Sequence, residues 1–346
     1  MKTATLFALC LVSLTAGWCG AAGAASFDCS KAASPFEHAI CDNPELSRAD
    51  ERLATTYATA TGGLSEPALK ALRSDQRTWL DFAQRACTRD NRPMSTGRYS
   101  EDGVSCLVST FAGRSDVLET SRMISGQRFY PLSRYATFLD PDGVGNDDYY
   151  WPVATHQFSF AQLDGSDAAA DAFNAFVAEQ VDALAGASGG EPGEGDQTSD
   201  TSNSITVKDV DERMITLDVT TYWYGHGAAH GNYTISLIHY LRDKQRALEA
   251  SDVFGTKGWQ KALLGLVVDE LKTEHGEDVM LDSPGDIADI VTDPTRWDLS
   301  DPYGLVIQFE PYEVAAYAYG APTVRIPWAA LEAYRAEDAD GFRYGY

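Results

Sequence analysis

Two histidines four residues apart, His226 and His230, stand in the stretch GHGAAHG. On a helix that spacing aims two imidazoles at one metal ion, the arrangement of hydrolytic zinc sites. Here the glycines disfavour helix and strand alike, and no Glu follows the first histidine as HExxH requires. A loop could still present both rings to a metal, with Asp252 or His239 as third ligand, and metal-dependent hydrolysis would follow. The plainer reading makes the glycines a bulge or turn with unusual dihedrals, and His230 a partner of backbone. There is no Walker loop and no GxGxxG opening a helix. With 51 Asp and Glu, any carboxylate pair could be proposed for glycoside hydrolysis, and the sequence selects none. The expectation is a protein that is not an enzyme and holds no cofactor or metal.

Cysteine supplies the other chemical signal. Cys10 and Cys19 fall in the first two dozen residues, Cys29, Cys41, Cys87 and Cys106 follow, and none comes later. No CxxC spacing supports redox or zinc chemistry, and the even count reads as two disulfides made in an oxidising compartment. Three pairings are open, of which short loop closure favours Cys29–Cys41 with Cys87–Cys106. The amino terminus agrees. Lys2 precedes the apolar run LFALCLVSL, and Ala22-Gly23-Ala24 forms a cleavage site, so the processed chain is expected to begin near Ala25. Trp18 speaks against a lipidated start at Cys19, where lipoprotein signals want a small preceding residue. The run is too short for a membrane span, and no later stretch has eighteen uninterrupted apolar residues. The protein is expected to be periplasmic or secreted.

In 346 residues the acids outnumber 27 Lys and Arg, a formal charge of −24 that loss of Lys2 deepens by one. Nucleic acid and anionic membrane surfaces make poor partners for such a chain. A cationic protein would be drawn to it over long range. Solubility alone is the plainer account of the charge. Apolar residues at 44% supply enough material for real cores.

Ser34-Pro35-Phe36-Glu37 is a capping box with proline at the first helical position, opening a short helix to about Cys41. Asn43-Pro44 caps a second, striped by Leu46, Leu53 and Tyr57 and ended by Gly62-Gly63. Ser65 starts a third with Leu69, Leu72, Trp79 and Phe82 on one face, and a fourth spans Val104 to Ser121. An array this small depends on its disulfides. The set Phe27-Asp28-Cys29, Glu37, Ile40-Cys41, Pro44-Glu45-Leu46, Asp50, Leu53, Tyr57, Gln76-Arg77-x-Trp79-Leu80 and Arg85-Ala86-Cys87 resembles the LprI family of exported lysozyme inhibitors over about 25–122. The polar insert between Cys87 and Cys106 is longer than in short family members. The resemblance implies what the domain binds, not which residues bind it. Trp79 reads as core, Glu37 as a cap, and Arg77 or Arg85 as partners of Asp81 or Asp50.

Residues 123–150 read as an edge strand and a loop, Val153–Ala161 as a strand, and Ser166–Leu184 as a helix with Phe173, Phe176 and Val177 inward. Residues 186–204 form a glycine-rich acidic loop, whose Glu191–Asp196 either steers a basic partner or is simply solvated. Strands over 204–210 and 213–224 pair across Asp211-Glu212, then come a strand over 233–240, a helix to His275, and strands over 303–310 and 323–327. The fold class is α+β: a small disulfide-stapled helical domain, then an antiparallel sheet domain with helices packed on one face. The expected organisation is a leader over 1–24, the helical domain over 25–122, a linking or edge segment over 123–149 and the sheet domain over 150–346.

A second resemblance lies in Thr221-Tyr222-Trp223-Tyr224-Gly225-x-Gly227-Ala228-x-His230-Gly231, Leu248-x4-Val253-Phe254, Leu305-x-Ile307-x-Phe309-x-Pro311-Tyr312-Glu313-Val314-Ala315, Tyr317-x2-Gly320 and Val324-x-Ile326-Pro327. Together these are similar to the RsiV-like domain over about 150–335. That domain occurs in a lysozyme-sensing anti-sigma factor and beside some peptidoglycan-modifying catalytic domains, which implies a binding module. The two resemblances imply a cationic lysozyme-type muramidase as partner, inhibited by occlusion of its cleft. Contacts are expected where aromatic and glycine residues coincide, at Tyr224, His226, His230, Tyr312 and Tyr317, unless the tyrosines serve the core. The alternatives are a non-catalytic accessory protein that binds peptidoglycan or another envelope component, and an envelope hydrolase built on His226 and His230.

Overall fold

In a computed structural model the described residues are 25–146, 148–150, 152–187 and 197–344. The expected leader and the Glu191–Asp196 segment lie outside them. Helices α1 (Pro35–Asp42), α2 (Pro44–Thr61), α3 (Glu66–Ala86) and α4 (Glu101–Glu119) form the amino-terminal array. The Ser34 hydroxyl accepts from the Glu37 amide while the Glu37 carboxylate accepts from the Ser34 amide, so the capping box is complete. Helix α4 starts three residues before its apolar stripe, because Ser100 caps it and acidic Glu101 and Asp102 suit a helix amino terminus. Leu46, Leu72, Trp79, Leu107, Phe111 and Leu118 close the core, each at most 1% exposed. The disulfides are Cys29–Cys41 and Cys87–Cys106, the short-loop pairing, tying the segment before α1 to its end and α3 to α4.

A seven-stranded sheet follows, with strands adjacent in chain order: β1 (Arg122–Ile124), β2 (Gln127–Leu139), β3 (Val153–Asp164), β4 (Ser199–Val210), β5 (Met214–Gly225), β6 (Asn232–Leu241) and β7 (Arg246–Ala247). The sheet is mixed and mostly antiparallel. Only β3 and β4 run parallel, because helix α5 (Ala168–Ala187) carries the chain back between them, the crossover that parallel neighbours require. The edge strand expected in 123–150 is instead a hairpin whose second strand, β2, lies between β1 and β3. Pro131 sits within β2 at no cost, since β1 pairing stops at Phe129 and only β3 lies beside it there. Strand β4 begins at Ser199, inside the stretch expected to be loop. Its Thr201, Ser202 and Asn203 carry no apolar alternation, yet pairing with β3 satisfies their backbone.

Strand β2 packs against an element on each of its faces. Phe129 packs with Phe158, Phe173, Val177, Ile205 and Leu217 under α5, whereas Tyr130, Leu132 and Tyr135 pack on the helical array. Arg114 of α4 seals that second contact. Its side chain is fully buried and bonds Asp75 at 2.6 Å, Gln76 at 2.9 Å and the Tyr135 hydroxyl at 3.0 Å. The other Asp75 oxygen accepts from the Ser133 amide of β2 at 2.8 Å.

The last third builds its own core around Trp297, Leu263, Val267, Leu305 and Ile307. Helix α6 (Ala250–Val253) leads to α7 (Trp259–His275) and α8 (Ala288–Thr292). Strands β8 (Trp297–Asp298), β9 (Gly304–Gln308) and β10 (Thr323–Pro327) form an antiparallel sheet with β9 central. Two short helices, α9 (Trp328–Leu331) and α10 (Asp340–Tyr344), end it. Among the described residues no helix is long and apolar enough to cross a membrane.

Candidate functional site

The loop joining β5 to β6 (226–231) meets the loop joining β9 to β10 (309–322). Tyr222 and Tyr233 are directly opposed on the two strands below the first loop. Gly231 is required beside them, since the Tyr222 ring occupies the place of any β-carbon there, and Gly227 takes φ +79° to turn the chain. The Gly231 carbonyl accepts from His230 Nδ1 at 2.9 Å and from the Tyr317 hydroxyl at 2.8 Å. These bonds hold the His230 and Tyr317 rings stacked, 4.5 Å apart. Tyr312 tilts against Tyr317 at 5.2 Å, and Tyr233 meets it edge-on at 6.1 Å.

Tyr312 is exceptional in two respects. It is 61% exposed, and its φ of +72° lies in the left-handed region that a bulky side chain avoids. The frame around it over-determines that conformation. Arg296 pairs with Glu313 at 2.8 Å and Glu310 at 3.0 Å, and Glu313 also accepts from the Glu310 amide at 2.6 Å. Burial raises the Glu310 carboxyl above its ordinary range, a shift that Arg296 opposes. His275 spans the far side, bonding the Tyr319 hydroxyl at 2.8 Å and the Thr323 carbonyl at 3.0 Å. Outliers of this kind cluster at binding and active sites, which makes Tyr312 a candidate.

His226 turns away from this cluster. Its side chain is 1% exposed, with Nδ1 2.5 Å from Asp140 and Nε2 3.5 Å from Asp200. Asp140 is fully buried and accepts from the Tyr149 hydroxyl at 3.0 Å, while Asp200 accepts from the Thr155 amide and hydroxyl. Burial and the bond to Asp140 push the Tyr149 phenol up to about 12. For His226, burial disfavours the imidazolium, but the two carboxylates outweigh it and raise the pKa above 6.5. A raised imidazolium pKa stabilises the fold fully below the unfolded value and ceases to do so as pH climbs through the folded value. The expected result is that wild type loses melting temperature relative to His226→Gln as pH rises above 6.5. Melts from pH 5 to 9 on both proteins check this, and a constant difference would refute it.

Of the five contact residues read from the sequence, His230, Tyr312 and Tyr317 stand together, Tyr224 donates within its own loop to the Ala228 carbonyl, and His226 is buried elsewhere. His239 lies at the opposite end of β6 between Thr216 and the Trp297 carbonyl, and Asp252 is held by Lys244 and Arg246. The four groups considered for a metal site thus have separate partners. The sequence reading pointed to the segment ending at Tyr233 but named neither Tyr222 nor Tyr233 as a contact, although hairpin register would have paired them, and it missed Asp140 and Asp200, which carry no local signal.

Residues 29–118 match the family described as lysozyme inhibitor LprI, and residues 251–329 match a protein family of unknown function, DUF3298. The second match takes in Tyr312 and Tyr317 but not the 226–231 loop, and is shorter than the 150–335 over which a resemblance was expected. No catalytic family matches, and no curated protein is significantly similar to the chain. Crystal structures of two DUF3298 family proteins resemble the fold weakly. The one from Bacteroides fragilis NCTC 9343 is 14% identical with a TM-score of 0.45, covering 65% of this chain and all of its own. The one from Pseudomonas aeruginosa PAO1 is 13% identical with a TM-score of 0.43, covering 64% of this chain and 98% of its own. The chain therefore carries a segment similar to the LprI lysozyme inhibitor family, followed by one similar to the DUF3298 family.

Proposed function

We propose that the protein is exported and inhibits a lysozyme-type muramidase by occluding its substrate cleft. The observation that carries the reading is the match of residues 29–118 to a lysozyme inhibitor family. Two disulfides within that segment support a location outside the cytoplasm. The charge of −24 favours fast encounter with a cationic enzyme, while affinity must come from a few desolvated contacts. The cluster of exposed Tyr312 and His230 with half-buried Tyr317, flanked by Tyr222, is our choice for those contacts, because rigid aromatic side chains lose little freedom on binding.

Titrating the exported protein into hen-type, goose-type and invertebrate-type lysozymes tests this, with binding and muramidase activity followed together. Saturable one-to-one inhibition that survives about 150 mM salt, where screening acts over roughly 8 Å, is expected. Binding that leaves activity untouched, or disappears with salt, refutes it. The same exposed aromatic rings would also stack on sugars, which favours a second reading as a non-catalytic peptidoglycan-binding protein. Retention on purified sacculi without lysozyme affinity would select that one.

A further inference from the structure

The start of the described chain is anchored rather than trailing. Ala25 and Phe27 pack against the helical core, and the Ser26 amide donates to Asp50 Oδ2 at 2.7 Å. Asp50, on α2, is only 9% exposed. The two grooves flanking this segment are lined by Glu37, Asp50 and Glu51 and, among the described residues, by no basic side chain. The nearby Arg52 is committed to Asp116 and Glu119 on α4. An enclosed carboxylate of this kind calls for a full positive charge, and a peptide N–H carries only a fraction of one.

The chain supplies that charge at the right place once its leader is removed. Hydrolysis of the bond after Ala24 or Ala25 adds one water, leaves a carboxylate on the leader and frees an amine. That amine is protonated at neutral pH. The ammonium then sits on Ser26, the residue already bonded to Asp50, or on Ala25 one residue away. Resting on the reading that the protein is exported, we propose that Asp50 is the binding site for the amino terminus that leader removal creates. Glu37 and Glu51 each line one of the flanking grooves, so neither groove presents a charge that would repel the ammonium. The pair closes the helical array at its first residue, next to the Cys29–Cys41 disulfide.

The test uses the full-length chain, expressed with its leader and recovered from the extracytoplasmic fraction. Intact mass gives the first residue, and acetic anhydride labelling of the terminal amine across pH gives its titration midpoint. A start at Ala25 or Ser26 is expected, with a midpoint about one pH unit above the ordinary 7.7–8.0 that returns toward that range in Asp50→Asn. An ordinary midpoint in the wild type overturns the proposal, as does a raised one that Asp50→Asn leaves unchanged. Should Asp50→Asn not fold, the wild-type midpoint decides alone, and exposed Glu51→Gln should keep most of the shift. A start beyond Ser26 overturns the proposal and leaves export standing. Retention of residues 1–24 overturns both.

Discussion

Arg114→Met is expected to destabilise the protein by about 3–5 kcal/mol, because it leaves the buried Asp75 carboxylate facing no cation. On a protein of this size that is a melting-temperature loss of roughly 10 °C. The pair is 0% and 5% exposed, so solvent cannot screen the remaining charge. Burial already raises the Asp75 carboxyl above its ordinary range even with Arg114 and the Ser133 amide opposing it, which shows how costly that environment is for charge. Removing both partners is therefore the informative comparison. Arg114→Met with Asp75→Leu should recover about half of the loss, leaving about 1–3 kcal/mol for the Ser133 amide that then has no acceptor. Urea unfolding of the three proteins measures this. If the single variant costs less than about 1 kcal/mol, the pair is not what joins α3 and α4 to β2.

Tyr312→Gly is expected to separate binding from stability. A bulky residue at φ +72° carries about 1–2 kcal/mol of backbone strain, which glycine relieves while adding entropy to the unfolded chain. The net effect on unfolding should lie between zero and a gain of about 1 kcal/mol. Binding to the muramidase should weaken by about 2 kcal/mol, roughly 30-fold in Kd, as for a central aromatic anchor. Tyr312→Phe, which keeps the ring against Tyr317, should retain most of the affinity. Calorimetric titration together with thermal melts reads both quantities. A destabilised glycine variant with unchanged affinity would make Tyr312 a structural residue and move the interface elsewhere.

The helical array was legible before any coordinates because its signals are local. A capping box needs four consecutive residues, an apolar stripe one helix, and a disulfide across a short loop only the chain between its cysteines. Trp79 in the core, Arg85 on Asp81 and both disulfides follow from such short-range rules. The parallel pairing of β3 with β4 was not legible, since the polar run 199–203 has no alternation and its partner lies more than forty residues away.

The candidate site divides along the same line. By itself the sequence determined that glycines and aromatics gather at 224–233 and 311–320, and that the glycines of GHGAAHG disfavour a helical metal motif. Only the tertiary structure decided that His230 and Tyr317, 87 positions apart, stack while His226 turns inward to Asp140. Direction is the reason. In a glycine-rich loop no repeating backbone geometry relates neighbouring side chains, so which histidine faces solvent is set by carboxylates and rings that other strands bring to it.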